Sequence, residues 1–167
     1  MARWLWLSLA VLVLDQITKV LALGWLTPYL PYPVIPNFNL TLMFNEGAAF
    51  SVLADAGGWQ RWGLSAFAAG MSLVLAVWLT RLGSGERLLA VSLALIIGGA
   101  VGNLIDRVLY GHVIDFVQVY LPVIPLALFN PWPAFNIADS AISVGVMLLL
   151  FASFRADGTA RTSSARD

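Results

Sequence analysis

The chain has 167 residues, of which 60% are hydrophobic and 11% are charged. Soluble domains are about 45–50% apolar and about 25% charged, so this composition predicts a single integral membrane domain. A formal net charge of zero, no cysteine and a single histidine exclude a basic nucleic-acid surface, disulfides, thiol catalysis and metal sites built from cysteines or several histidines.

Long apolar stretches predict the fold class, since a helix needs about 20 residues to span a bilayer. The stretches cover residues 4–26, 62–80, 88–109 and 137–154. The first is too long for a cleaved signal peptide and lacks a small-residue cleavage site, so we expect it to be retained. The predicted architecture is mainly α: one domain, residues 1–155, of four transmembrane helices. The polar tail, residues 156–167, is expected to be disordered and cytoplasmic.

Arginines outside the spans predict the orientation, because positive residues concentrate on the cytoplasmic side. They lie before the first span, around the turn between the second and third, and after the fourth: Arg3, Arg81, Arg87, Arg155, Arg161 and Arg166. The two long connections, 27–61 and 110–136, contain only Arg61. Both termini are therefore expected in the cytoplasm, with the long connections outside.

The first span contains two charged residues in the sequence "LDQITK". Asp15 and Lys19 are spaced i, i+4, which places them on one helix face and allows an ion pair. Pairing lowers the cost of burying each charge. A structural role is favoured over direct catalysis because the pair lies in the middle of the span.

The first long connection contains a predicted strand and a candidate contact site. "NFNLTLMFN" (37–45) alternates in part between apolar and polar residues, as strands do. "FNEGAAFS" (44–51) then places Asn45 and Gly47 beside small residues. Such a pattern is typical of backbone that approaches a ligand or another chain.

The third span combines small residues with polar ones in "GGAVGNLIDR". Gly98 and Gly102 have the G-x-x-x-G spacing that lets helices approach closely, and such glycines serve packing more often than chemistry. Asn103 and Arg107 are spaced i, i+4 and share a face. Asp106 can pair elsewhere.

Two aspartates are expected at the same depth, near the outer end of the helices. "HVIDFVQVY" (112–120) predicts a second strand, and because an open sheet edge cannot face lipid, the strands should form a small sheet at the outer surface. This strand carries Asp115. Asp139 lies in the first turn of the fourth span, where Asn136 suits an N-cap. Taken singly, Asp115 could be a solvated turn acid and Asp139 an acid favoured by the helix dipole.

Taken together, the two aspartates indicate acid–base chemistry. Two carboxyls in a poorly solvated cleft cannot both ionise easily, so the pair holds one proton near neutral pH. One can then activate water while the other protonates the substrate, which allows peptide hydrolysis without metal or covalent nucleophile. A proton-coupled carrier is a weaker alternative, since the acids cluster at one face and no inverted repeat occurs. A non-enzymatic scaffold leaves the two acids unexplained.

The motifs resemble those of the bacterial lipoprotein signal peptidase (signal peptidase II) family. They occur in order from Asp15 to Ser140: "DQITK", "NEGAAF", "GNLIDR", "GHVIDF" and "FNIADS". The resemblance implies an intramembrane aspartyl endopeptidase of the bacterial inner membrane, with its active site near the periplasmic face. Its substrates would be prolipoproteins, cut just before a cysteine that carries diacylglycerol.

The resemblance also implies particular roles. Catalysis falls on Asp115 and Asp139. Supporting or substrate-contacting roles fall on Asp15, Lys19, Asn45, Gly47, Asn103, Arg107 and Asn136. A sheet cradle and a mobile apolar segment over the active site are expected within 30–58 and 110–125. We expect a monomer without cofactor, metal or nucleic-acid partner, whose partners are membrane lipid and the modified prolipoprotein.

Overall fold

Four long helices form the bulk of the protein, as predicted. The computed structural model describes residues 2–47, 58–121 and 130–164, the last range without the side chains of 156–164. After a 3-10 turn at Ala2–Trp4, the helices are α1 (Leu5–Trp25), α2 (Trp59–Arg81), α3 (Arg87–Leu109) and α4 (Ile137–Ser164). Each is long and apolar enough to cross a membrane. Helices satisfy their own backbone hydrogen bonds, which the hydrocarbon requires.

The end of α4 differs from the sequence-based expectation. The composition predicts disorder from residue 156, whereas the helix continues to Ser164. Extending an existing helix adds one hydrogen bond per residue without a new nucleus, so a polar segment can continue a membrane span. Residues 165–167 lie outside the described part of the chain.

Helix α3 is the centre of the bundle and packs against α1, α2 and α4. Glycines allow this close approach. A Cβ at Gly98 would lie 2.7 Å from the carbonyl oxygen of Ser8 on α1, and a Cβ at Gly99 would collide with the carbonyl of Ala138 on α4. The G-x-x-x-G prediction of close helix packing is thus confirmed. Leucine and isoleucine side chains of α2 and α3 fill the adjoining core, around Leu79 and Leu93.

A three-stranded antiparallel sheet joins one end of the bundle, called here the sheet end. Its strands are β1 (Tyr32–Ile35), β2 (Phe38–Asn45) and β3 (Val113–Val119), in the order β1-β2-β3. The two predicted strands are confirmed as β2 and β3. The sequence did not predict β1, because its Pro33 is tolerated only on an edge strand such as this one.

Apolar contacts fix the sheet to the helices and so fix the positions of β3 and the start of α4. Ala22 of α1 packs in one buried cluster with Leu42 of β2 and with Ile114 and Phe116 of β3. The backbone just before α4 extends the sheet, since Phe135 and Val117 exchange hydrogen bonds of 2.9 and 3.0 Å. The expected mobile segment falls partly on residues 48–57 and 122–125, which lie outside the described residues.

Candidate active site

Asp115 lies in the middle of β3, opposite Met43 of β2, and only 2% of its surface is exposed. Its Oδ2 accepts a hydrogen bond from Asn45 Nδ2 at 3.2 Å, and its Oδ1 accepts one from Asn136 Nδ2 at 2.8 Å. Both donors are neutral amides. The two amides therefore fix the orientation of the carboxyl.

Asp139 lies in the first turn of α4 and is partly exposed. Its Oδ2 accepts the backbone N–H of Asn136 at 3.2 Å, while its own backbone N–H donates to Asn136 Oδ1 at 2.8 Å. This reciprocal arrangement is a capping box, so the predicted N-cap role of Asn136 is confirmed. Asp139 Oδ1 accepts a third hydrogen bond, from Asn103 Nδ2 of α3, at 2.7 Å.

Asn136 connects the two aspartates. Its side-chain amide reaches Asp115, and its backbone N–H and side-chain oxygen bind Asp139. Asn136 is fully buried and also donates to Asn103 Oδ1 at 3.1 Å. One buried residue therefore brings together a carboxyl on a strand and a carboxyl on a helix. This agrees with the prediction that the two acids lie near the same end of the helices.

The environment of Asp115 favours its protonated form. Burial raises the pKa of Asp115 to about 8, because the ionised carboxylate loses its solvation. The negative charge of Asp139 contributes to this rise in pKa, whereas hydrogen bonds from Asn45 and Asn136 and the charge of Lys19 limit it. This environment allows Asp115 to keep a proton at neutral pH.

Buried charges from α1 and α3 lie directly behind the aspartates. Lys19 Nζ is 2.8 Å from Asp15 Oδ2, which confirms the ion pair predicted from the i, i+4 spacing. The predicted pair is only part of a larger cluster, because the same ammonium lies 2.7 Å from Asp106 Oδ2 and donates to Asn103 Oδ1 at 2.9 Å. The three charged residues are at most 1% exposed.

Sequence reasoning missed Asp106 and its neighbour Gln16 as parts of this cluster. Gln16 Nε2 donates to Asp106 Oδ1 at 3.0 Å and to Asp15 Oδ2 at 3.2 Å. One indication of the larger cluster was available in the sequence, which is the presence of Asp106 inside a span, because an acid there requires a partner. Its partner Lys19 is far away in sequence, so spacing could not identify it.

Arg107 binds the backbone that follows strand β2. Its Nη2 donates to the carbonyl of Gly47 at 3.0 Å, and the backbone N–H of Gly47 donates to Asn45 Oδ1 at 3.1 Å. The second interaction orients the Asn45 amide that reaches Asp115. Arg61 Nε in turn donates to the carbonyl of Arg107 at 2.7 Å, at the C-terminal end of α3. The "NEGAAF" residues Asn45 and Gly47 are thus joined to the α3 motif.

A groove with a cavity volume of about 720 Å³ opens beside Asp139. Its walls are apolar side chains of α2, α3 and α4, including Phe67, Met71 and Ile142. Its polar lining is concentrated at the sheet end and includes Asn45, Asn103, Arg107 and Asp139. Four residues predicted for the site therefore line one end of an apolar groove, and Asp115 is joined to them by hydrogen bonds through Asn45 and Asn136.

Comparison with known proteins gives a consistent result. A family model described as signal peptidase (SPase) II matches residues 7–155. The lipoprotein signal peptidase of Pseudomonas putida is 52% identical over 153 residues, covering 91% of this chain and 86% of that protein. The enzymes of the same name from Pseudomonas fluorescens and Burkholderia mallei are 51% and 48% identical, each covering 93% of this chain and 89% of the relative.

Solved structures share the fold. Two that are described as bacterial membrane enzyme structures, obtained by the in meso method, superpose with TM-scores of 0.80 and 0.74 at 28% identity. They cover 93% and 91% of this chain, and the matches span 89% and 92% of those chains. The similarity therefore includes both the helices and the sheet.

Proposed function

This chain belongs to the signal peptidase II family, and from that premise we propose that it is an intramembrane aspartyl endopeptidase. Its substrates are prolipoproteins whose cysteine carries diacylglycerol, and it cuts the peptide bond just before that cysteine. The observation that carries the proposal is the connection of Asp115 and Asp139 through Asn136, at the polar end of an apolar groove.

The proposed chemistry uses one proton shared by the two carboxyls. Asp139 lines the groove and acts as the base that takes a proton from water. Asp115, whose pKa is about 8, holds the proton and donates it to the scissile carbonyl oxygen as the water oxygen bonds to the carbon. The resulting gem-diol collapses when Asp139 returns its proton to the leaving nitrogen and Asp115 recovers a proton from a hydroxyl group. Both carboxyls then have their starting charges.

The groove explains how such a substrate is positioned. A signal peptide and two acyl chains are apolar and match the walls formed by α2, α3 and α4. Asn45 and Arg107 line the polar end, and we assign them to binding of substrate carbonyls because both side chains carry hydrogen-bond donors. Holding the peptide bond close to both carboxyls contributes to the rate by removing orientational freedom before the reaction.

We further propose that the sheet end faces the periplasm and that the protein acts as a monomer in the inner membrane. Acyl chains of the modified cysteine lie in the outer leaflet, so the scissile bond lies near that surface. Reporter fusions in the α2–α3 turn and after Arg155 should read cytoplasmic, and fusions after Pro28 and Gln118 should read periplasmic. A periplasmic reading at the α2–α3 turn would contradict this orientation.

Cleavage by the purified protein in detergent tests the proposed function. We expect cleavage of a diacylglyceryl-modified prolipoprotein and little cleavage of the same precursor without the lipid. Mass spectrometry should place the cut immediately before the modified cysteine. The rate should be unchanged by a strong chelator. Lack of cleavage, or a chelated enzyme that zinc reactivates, would overturn the aspartyl assignment.

A further inference from the structure

We call Asp115 and Asp139 the dyad. The buried carboxylates of Asp15 and Asp106 each accept a backbone N–H from the residue that precedes one dyad aspartate. Asp106 Oδ2 accepts the backbone N–H of Ile114 at 3.1 Å, and Ile114 immediately precedes Asp115. Ile114 is 1% exposed, so no water competes for this N–H. The carboxylate of α3 therefore holds β3 at the residue before the first dyad aspartate.

Asp15 makes the equivalent contact with helix α4. Its Oδ1 accepts the backbone N–H of Ala138 at 2.9 Å, and Ala138 immediately precedes Asp139. This N–H belongs to the first turn of α4, where amides have no partner within the helix. Ala138 is fully buried, so the carboxylate of α1 is what satisfies this donor.

Lys19 joins the two carboxylates. Its ammonium is 2.8 Å from Asp15 Oδ2 and 2.7 Å from Asp106 Oδ2. An ammonium has three hydrogens, and the third is donated to Asn103 Oδ1, whose amide nitrogen binds Asp139. Contact with one nitrogen atom therefore fixes the separation of the two carboxylates, and with it the separation of the backbone amides they hold.

From this arrangement we infer that Asp15, Lys19 and Asp106 form a clamp that sets the distance and orientation of the two catalytic aspartates. The inference rests on the proposed function. Asp115 and Asp139 belong to a strand and a helix that are separate in sequence, so their relative position depends on non-covalent contacts. The clamp supplies a charged contact to each element at the residue adjoining the catalytic one. Asp15 and Asp106 are thus positioning residues that touch neither substrate nor water nucleophile.

The charges of the clamp argue against a purely stabilising role. One lysine needs one buried carboxylate for neutrality, and a second leaves an excess negative charge, which is costly in an apolar interior. The second carboxylate is explained by the backbone N–H that it holds. The carboxylate of Asp15 is also tightly enclosed, since a Cβ at Gly102 would lie 2.6 Å from its Oδ2.

Removing one carboxylate at a time tests the clamp. Asp15→Asn and Asp106→Asn each leave Lys19 with one acid partner, so both variants should fold with a melting temperature equal to or above that of the wild type. Each should lose about 10- to 100-fold in kcat with little change in KM, since a misplacement of about 1 Å between reacting groups can cost 100-fold. Ser8→Ala is the matched control, because Ser8 also joins α1 to α3 through a buried hydrogen bond, to the carbonyl of Ala94 at 2.8 Å. Its kcat should equal the wild-type value.

The pH dependence of kcat separates positioning from stability. Moving the dyad carboxyls apart weakens the coupling between their titrations. The two apparent pKa values of the kcat–pH profile should therefore lie closer together in both clamp variants, and should be unchanged in Ser8→Ala. The other charged groups near the dyad are Lys19 and Arg107, which all three variants retain, and Asp15, whose charge also acts on Asp139. Asp15→Asn removes that charge, so the profile of the charge-retaining variant Asp106→Glu reports positioning alone. An unchanged profile, with kcat falling only in proportion to the folded fraction, would overturn the clamp.

A conservative substitution keeps the test decisive if an asparagine variant does not fold. Asp106→Glu retains the charge for Lys19 but displaces the acceptor of the Ile114 N–H by one methylene. We expect folded protein with reduced kcat, and full activity with a wild-type pH profile would overturn the inference. Failure of the proposed function looks different, because wild-type protein would then not cleave the lipid-modified precursor.

Discussion

Two pairs of aspartates lie side by side at the sheet end of the bundle, and they differ in what binds them. Asp15 and Asp106 contact the ammonium of Lys19 at 2.8 and 2.7 Å. Within the described residues, Asp115 and Asp139 receive hydrogen bonds from asparagine amides and a backbone N–H. We call Asp15 and Asp106, which share the ammonium, the structural pair. Asp115 and Asp139, which are bound by neutral donors and which we propose to be catalytic, are the chemical pair. The position of one lysine thus separates the structural pair from the chemical pair.

The largest expected effect comes from the chemical pair. Asp115→Asn and Asp139→Asn should each reduce cleavage by at least about 1,000-fold, because one carboxyl cannot act as both acid and base. Both proteins should remain folded, since asparagine replaces the carboxyl with a neutral group of the same shape. Specific activity and melting temperature in detergent measure the two quantities. Near-wild-type turnover by either variant would contradict the division between the pairs.

The structural pair should respond in the opposite way to loss of its cation. Lys19→Ala leaves two carboxylates, each fully buried, without an ammonium. Losing one partner of a buried ion pair costs about 3–5 kcal/mol, so melting temperature and yield should fall sharply. Replacing Lys19 with Met in the Asp15→Asn, Asp106→Asn background leaves no charge in the cluster and should restore part of the stability. A Lys19→Ala protein as stable as the wild type would show that the cluster does not stabilise the fold.

Packing behind the structural pair gives a smaller effect. Gly102→Ala places a methyl group 2.6 Å from Asp15 Oδ2 and should lower stability by about 1–3 kcal/mol. Gly70→Ala on α2 is the matched control, since a Cβ there meets nothing within 4 Å. Alanine is also the better helix former, so this control should be neutral or slightly stabilising. Equal melting temperatures for the two variants would contradict the tight packing at Gly102.

The most gradual effect is a dependence on pH. Because the pKa of Asp115 is about 8, kcat should fall as pH rises through that value, about tenfold per unit above it, as the dyad loses its proton. The sign for stability follows from the same shift. Unfolded Asp115 ionises near pH 4 and folded Asp115 near 8, so this carboxyl costs stability as pH rises between those values. Asp115→Asn should lack that loss. A wild-type kcat that stays constant up to pH 10 would contradict protonation of Asp115.

Several features were predictable because they depend on local sequence. Hydropathy identified the four spans, alternation identified β2 and β3, and the i, i+4 spacing identified the contact between Asp15 and Lys19. The N-cap role of Asn136 followed from its place before an apolar run. In each case the relevant partners lie within one element or one turn, so residue order determines the geometry.

Long-range partners were not predictable. Asp106 could be recognised as an acid that needs a partner, but its pairing with Lys19 depends on how closely α1 and α3 approach at Gly98 and Gly102. Strand β1 was missed because Pro33 suits a strand only at a sheet edge, and which strand forms the edge is a property of the sheet.

The sequence alone determined which residues carry charge, where the four apolar helices lie, and that two aspartates come to the same end of the bundle. These follow from hydropathy and helix geometry, which act along the chain. Only the tertiary structure decided which carboxylates contact the lysine and which one lines the groove. That choice depends on distances between separate elements, and Coulomb and hydrogen-bond energies change steeply over those few ångströms.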